Sequence, residues 1–282
     1  MESSLIIPVS VLILTYDEEV NIGNCLASLK WCDDVVVLDS FSQDTTESIV
    51  SESKARFYQR KFDDYARQRN YGINEISYQH PWLLMVDADE TTPDDIVAEM
   101  QHVVTSDTAT SLYRMRRKDH FMGKWIKHSS GYPTWFGRLI RIGQVRVERA
   151  INEEYVTDGK VGYLKSHLVH YPFNKGFHSW LEKHNRYSSM EAVALVNTSK
   201  GLKLAIKDAF NADPSIRRKF IKVLIYKLPG RPLIMFFLLY IIKGGFLDGA
   251  AGFRFCILRS IYEYLIDCKV AELKRRTQHL PL

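Results

Sequence analysis

Trp82-Leu83-Leu84-Met85-Val86-Asp87-Ala88-Asp89 is the stretch that decides the fold. Five consecutive apolar residues ending in acids read as a strand buried on both faces, as at the centre of a parallel sheet. In open α/β sheets ligands bind in the crevice beyond the carboxyl ends of the strands, and Asp87 and Asp89 fall there. Hard cations such as Mg²⁺ or Mn²⁺ bind through one or two carboxylates and complete their shell with water and substrate phosphates. The pair therefore points to a divalent cation and a nucleotide diphosphate. Asp-x-Asp also occurs where a turn begins or a helix is capped, so its context has to decide. A calcium loop of the EF-hand type is disfavoured, because Glu90-Thr91-Thr92 supplies neither the next acidic ligand nor the required glycine.

The same pattern repeats around it. Val9–Leu14 and Val35–Leu38 are short apolar runs like Trp82–Val86, and each is followed by a helical pattern, at Asn21–Leu29, Thr45–Ser53 and Asp94–Val104. This βαβ order predicts an α/β fold with a mainly parallel, Rossmann-like sheet covered by helices. Asp44 is placed to cap the second helix, and Thr92-Pro93-Asp94 puts proline at a helix start with acids behind it. Residues 110–149 are less regular. Tyr113, Trp125, His128, Tyr132, Trp135 and Phe136 surround Gly123, Gly131 and Pro133, which reads as a loop-rich acceptor side or, equally, as a lid or an extension of the core.

From Phe177 the pattern is helical almost to the end, with breaks at Asp213-Pro214, Pro229-Gly230-Arg231-Pro232 and Lys243-Gly244-Gly245. Residues 1–199 hold 22 Lys+Arg against 27 Asp+Glu, whereas 200–282 hold 16 against 6, so the overall charge of +5 resides in the tail. Ile216, Phe220, Val223, Leu224 and Leu228 recur at helical spacing, with Arg217, Arg218, Lys219 and Lys222 on other faces. Leu233–Ile242 is wholly apolar but far shorter than the roughly 20 residues a spanning helix needs. Together these predict a membrane-surface attachment through residues 200–282, against anionic lipid, with packing on the catalytic part or on a second copy as the other reading. Nucleic acid is not expected, since long aliphatic runs accompany the basic residues.

With 282 residues and 46% hydrophobic composition the chain can bury a substantial core. Cys25, Cys32, Cys256 and Cys268 lack C-x-x-C spacing and are expected to be reduced thiols. Glu2 stands where a secretion signal carries basic charge and no small-residue cleavage site follows, so the opening apolar run reads as a first strand. For a bacterial source this places the protein in the cytoplasm, peripheral on the inner face of the cytoplasmic membrane.

Several stretches together carry a family resemblance. Val9-Ser10-Val11-Leu12-Ile13-Leu14-Thr15-Tyr16-Asp17-Glu18-Glu19 resembles the opening strand and loop of family 2 glycosyltransferases. Val37-Leu38-Asp39-Ser40-Phe41-Ser42-Gln43-Asp44 resembles their second strand end, and Asp87-Ala88-Asp89 their metal motif. Phe62–Asn70 and Gly245-Phe246-Leu247-Asp248-Gly249 are similar to the bacterial branch that contains the lipopolysaccharide core glucosyltransferases of the WaaE type.

The resemblance implies a GT-A fold over residues 1–199 and transfer of a sugar, with inversion, from a nucleotide diphosphate sugar such as a UDP-sugar to a glycan or lipid-linked acceptor. It implies that Thr15, Tyr16, Glu18, Asp39, Arg69 and Asp87 border the donor nucleotide, and that Asp89 ligates the cation, Mg²⁺ or Mn²⁺, with His170 completing its shell or touching the diphosphate. Ile151-Asn152-Glu153-Glu154-Tyr155 resembles the family's Val-His-Glu segment and places Glu153 as the general base, Glu154 being a substitute. Two departures stand out: Asn152 replaces the usual histidine, and Asp17 replaces the usual asparagine. Each site residue also has a bland reading as a turn, cap or surface ion pair, and Lys183 and Arg186 read first as helping to dock the tail. A noncatalytic nucleotide-sugar-binding scaffold shares this sequence pattern; a nucleotidyltransferase is disfavoured by the lack of a glycine-rich basic loop at the first strand.

Overall fold

The computed structural model describes residues 7–148, 154–199, 228 and 230–282. Strand β1 (Val9–Thr15) runs parallel between β2 (Val35–Asp39) and β4 (Trp82–Asp87), and β3 (Arg56–Gln59) extends the sheet beyond β2. Past β4 the order continues through β8 (Trp135–Arg141), β6 (Thr110–Phe121), β11 (Lys160–His170) and the short β5 (Glu90–Thr91), with β7 (Lys124–Trp125) paired to β6. β8 is antiparallel to both β4 and β6, and β11 is parallel to β6. The sheet is therefore mostly parallel with a reversed strand in its middle. A separate ribbon pairs β9 (Arg146–Glu148) with β10 (Glu154–Val156).

The central strands are apolar throughout because helices cover both faces. Val9, Val11 and Ile13 pack with Ile22 and Cys25 of α1 (Ile22–Ser28), Val50 of α2 (Thr46–Ser51) and Ile96 and Met100 of α4 (Asp94–Ser106). Leu12, on the other face, meets Ala66 and Ile73 of α3 (Tyr65–Glu75). Each such buried side chain contributes about 1.5–3 kcal/mol. The expected start signal Asp44 accepts from the Thr46 backbone N–H at 3.0 Å, and Asp64, which the sequence reading did not single out, caps α3 by accepting from Arg67 N at 2.8 Å.

The described part of 110–149 forms β6 to β9: β6, β7 and β8 extend the sheet, in keeping with the reading of this stretch as an extension of the core, while β9 belongs to the separate ribbon. Charged residues at Arg114 and from Arg116 to Asp119 deprive β6 of the continuous apolar run that marks the other strands. β3 and α3 also form where no element is predicted, the half-exposed β3 being too polar to stand out.

A second compact unit comprises Ile126–Gly131 and Gly176–Leu282. It holds α5 (Gly176–Ser199), α6 (Arg231–Phe237), a π-helical turn Leu238–Ile242, a 3₁₀ turn Gly245–Asp248 and α7 (Gly249–Thr277). The charge boundary at 199/200 and this packing boundary at 175/176 are different lines. α5 is held to α7 by Lys269, whose Nζ donates to Asn185 Oδ1, Ser188 Oγ and Ser189 Oγ within 2.8 Å. Asp248 closes the unit on itself: its Oδ2 accepts from His128 N, Ser129 N and Ser129 Oγ at 2.7–2.9 Å. A Cβ on Gly252 would overlap the Gly245 carbonyl, so glycine is needed where the 3₁₀ turn enters α7. The expected breaks at Gly230 and Gly244 carry positive φ angles of 70° and 75°. The amphipathic pattern over 216–228 and the break at Asp213-Pro214 lie outside the described residues, apart from Leu228. All four cysteines are free.

Candidate active site

Register brings the strand-end residues to one edge. Thr15 stands opposite Asp39 on β2, and Leu14 opposite Asp87 on β4. Thr15 Oγ1 donates to Asp39 Oδ1 at 2.8 Å, and Ser42 donates to the same carboxylate through N at 2.8 Å and Oγ at 2.5 Å. Asp39 is fully buried, so it orders the loops after β1 and β2 and presents Ser42 and its neighbours to the crevice. Asp17, with φ of 51°, turns its carboxylate to Gln43 N at 2.7 Å, away from the crevice's charged centre.

Tyr16 is 53% exposed, and its carbonyl accepts from Lys175 Nζ at 3.0 Å. Lys175 also lies 3.2 Å from Glu18 Oε1, while Asn21 Nδ2 donates to Glu18 Oε2 at 2.8 Å. Burial raises the Glu18 pKa, Lys175 opposes it, and the Asp89 carboxylate adds to the rise, so Glu18 and Asp89 feel one another.

Buried Arg69 and half-buried Asp87 form an ion pair at 2.8 Å. Arg138 Nη2 reaches Asp87 Oδ2 at 2.6 Å and Glu90 Oε1 at 2.7 Å. Burial pushes the Asp87 pKa up, but Arg138 and Arg69 outweigh it and hold the carboxyl well below the usual range. Asp87 is thus a fixed anion between two guanidiniums. Arg69, expected from the resemblance to border the donor nucleotide, is thus engaged by Asp87 in an ion pair, the other reading that the sequence allowed.

Asp89 and His170 meet as the resemblance implies. His170 Nε2 lies 3.2 Å from Asp89 Oδ2, and Nδ1 lies 2.7 Å from Asp119 Oδ1. Asp119 is fixed in turn by Arg117 Nε at 2.9 Å, which also approaches Glu90 at 3.4 Å. Burial lowers the His170 pKa, but Asp89 and Asp119 overcome that and push it up to about 8. A carboxylate and an imidazole nitrogen converging, with a second carboxylate orienting the ring, suit a divalent cation that takes its remaining ligands from water and phosphate. No group of three or more such ligands occurs among the described residues.

Glu153 lies outside the described residues. Glu154 lines a cavity of about 180 Å³ together with Asp87, Arg69, Arg114, Trp135 and Arg138. A larger cavity of about 460 Å³, near Ser111, Gln144 and Asp158, contains none of the predicted site residues. Sequence reasoning missed Glu90, Arg117, Asp119, Arg138 and Lys175. Only Glu90 had a local signal, as the third carboxylate of Asp87-Ala88-Asp89-Glu90.

The lipopolysaccharide core biosynthesis glycosyltransferase LpsC of Rhizobium meliloti is 26% identical over 94% of the chain and 92% of its own length. An uncharacterized glycosyltransferase of Rickettsia conorii is 21% identical over 99% of the chain and 95% of its own. Among solved structures, the mannosyltransferase PcManGT from Pyrobaculum calidifontis, in complex with GDP-Man and Mn²⁺, covers 94% of this chain and 87% of its own. It is 13% identical with a TM-score of 0.53, a likeness of fold, here GT-A. The model of glycosyl transferase family 2 matches residues 10–172, a span that encloses the strand-end loops, Asp87, Asp89 and His170. That span is more than half of the chain, and the chain belongs to glycosyl transferase family 2.

Proposed function

We propose that the protein transfers a sugar, with inversion, from a nucleotide diphosphate sugar, a UDP-sugar in the first instance, to a glycan or lipid-linked acceptor in bacterial lipopolysaccharide core synthesis. The observation that carries this reading is the convergence of Asp89 and His170 at the same sheet edge as Asp87 and the loops after β1 and β2. The named activity of the Rhizobium relative supports the lipopolysaccharide context.

The roles follow from the chemistry. Asp89 and His170 hold Mg²⁺ or Mn²⁺, which supplies positive charge against the departing diphosphate. Asp87, kept anionic by Arg69 and Arg138, accepts hydrogen bonds from the donor's hydroxyls. Thr15, Tyr16, Glu18 and Asp39 shape the nucleotide side. Glu153 takes the proton of the attacking acceptor hydroxyl; Glu154 is the alternative base because it lines the cavity beside Asp87. The scaffold reading keeps the donor site without turnover.

Residues 200–282 attach the protein to the membrane surface. No single described helix is long and apolar enough to cross, but Arg231–Ile242 and Gly245–Thr277 meet at 72° and expose Leu233, Phe237, Ile242 and Leu247. Holding the enzyme beside a lipid-anchored hydroxyl raises the effective acceptor concentration.

The test is a nucleotide-sugar panel with membranes and Mn²⁺, following nucleotide release and labelled glycolipid together. The enzyme reading expects both from one donor, and loss of both in Glu153→Gln with UDP binding retained. Binding without turnover of any donor favours the scaffold.

A further inference from the structure

We infer that one face of strand β6 is an acceptor subsite for an acidic glycan, a sugar chain bearing phosphate or carboxylate groups; this deepens the glycosyl-transfer reading and rests on it. Arg114, Arg116 and Lys118 occupy alternate positions of the strand, so their side chains leave it on the same side. From Arg114 to Lys118 the row covers roughly 13 Å, enough for more than one sugar unit.

These cations differ from the others around the crevice. Arg117, on the opposite face, is bound by Asp119 and Glu90, and Arg69 and Arg138 by Asp87. No carboxylate among the described residues pairs with Arg114, Arg116 or Lys118. Aromatic rings hold two of them instead: the Arg116 guanidinium carbon lies 5.0 Å from the Trp135 ring centre, and Lys118 Nζ lies 5.1 Å from that of Trp125. A ring face attracts a cation but does not neutralise it, so the charge remains available to a ligand. The Nε donors of Arg114 and Arg116 are buried with no hydrogen-bond partner, which a merely solvated strand face does not produce. Burial lowers the His167 pKa, and Arg116 and Lys118 push it down further, as positive potential on this side requires.

The row begins at the reacting centre. Arg114 lines the cavity shared by Asp87 and Glu154, and Arg116 and Lys118 continue along the strand from it. Guanidiniums suit the paired oxygens of phosphate and carboxylate, and the flanking indoles suit the apolar faces of sugar rings.

The experiment is calorimetric titration of the full-length protein with an oligosaccharide released from lipopolysaccharide by deacylation. Three forms serve as probes: intact, dephosphorylated with hydrofluoric acid, and carboxyl-reduced. The intact form is expected to bind on the order of tenfold or more tightly than at least one treated form. Which treatment causes the loss identifies the acid. Arg116→Ala combined with Lys118→Ala is expected to weaken the intact form to the level of the treated one, while Mn²⁺-dependent UDP binding stays within twofold. Equal binding of all forms, no binding of any, or an unchanged preference in the double variant overturns the inference. An equal loss of UDP affinity in the variant assigns the row to the donor and overturns it too. UDP binding by the wild type reports separately on the transferase reading: its absence sinks that reading, whereas its presence beside indifferent oligosaccharide binding sinks the acidic subsite alone.

Discussion

Asp119 grips His170 from the side opposite Asp89, its Oδ1 2.7 Å from Nδ1 while Asp89 Oδ2 stands 3.2 Å from Nε2. β6 and β11 set this arrangement, because their parallel register puts Asp119 and His170 side by side. Such outer carboxylates fix the ring's orientation and tautomer, and their loss typically costs ten- to a hundredfold in metal affinity. Asp119→Asn is therefore expected to weaken Mn²⁺ binding by about that factor. Electron paramagnetic resonance titration of free Mn²⁺ checks it, and unchanged affinity removes Asp119 from the site.

Arg138 answers for two acids at once, one half-buried and one buried. Its side chain is 5% exposed, and it bridges Asp87 and Glu90, the latter wholly buried. Arg138→Met leaves both carboxylates with less compensation, and breaking a buried pair costs about 3–5 kcal/mol. Denaturant unfolding is expected to show a loss of that order, with Arg138→Lys recovering part of it. A loss under 1 kcal/mol would mean that water already screens the pair.

The Asp248 carboxylate ties the segment 126–131 to the turn before α7 with three hydrogen bonds. Asp248 lies about 120 residues from His128 and Ser129 in sequence, so this one side chain joins the loop to a distant turn. Asp248→Ala leaves buried N–H groups unsatisfied at about 1–3 kcal/mol. Hydrogen exchange at His128 and Ser129 is expected to accelerate strongly, with β1 and β4 amides unaffected. Unchanged protection at those two positions counts against the clamp.

The parallel half of the sheet was legible because Val9–Leu14, Val35–Leu38 and Trp82–Val86 are buried on both faces and write themselves as apolar runs. Asp87, Asp89 and His170 were legible through motif resemblance, and two of them do meet. What was hidden lies on β6 and β8. There the strands carry Arg114, Arg116, Arg117 and Arg138, and charge on a buried strand becomes intelligible only once Glu90, Asp87 and the tryptophans are brought beside it. Asn70, the last residue of the stretch Phe62–Asn70 that carries the resemblance, exchanges two hydrogen bonds with Val147 and pins β9 to α3.

His184 gives the second unit an acid limit. Its ring stacks on Trp180 at 3.7 Å; burial, assisted by Lys183 and Arg259 against the Trp180 carbonyl bond, lowers its pKa to about 4. The unfolded ring titrates near about 6.5. Between those values the unfolded chain binds a proton that the folded chain refuses, so stability is full above about 6.5 and declines as pH falls toward 4. With discount for partial exposure the decline amounts to about 2 kcal/mol. Thermal unfolding of the wild type and His184→Gln across pH 7 to 4.5 isolates it: the variant's profile is expected to be flatter, and parallel profiles exclude the ring.

The proposed attachment to lipid rests on what the second unit leaves uncovered. Leu233 and Ile242 are 67% and 74% exposed, and Phe237 and Leu247 are more than half exposed, on helices that hold one another through Arg231, Glu263 and Asp267. That buried ion-pair cluster keeps the bend rigid, so the apolar side chains are presented by packing and do not depend on lipid to form. Inserting a large apolar side chain below the headgroups gains about 1.5–3 kcal/mol, roughly tenfold or more in partitioning. Leu233→Asp with Ile242→Asp is therefore expected to lower binding to phosphatidylglycerol vesicles at least a hundredfold. Flotation of the full-length protein measures it, and circular dichroism shows whether the helices persist. A variant that keeps its helices and still floats with the vesicles places the attachment elsewhere in the chain.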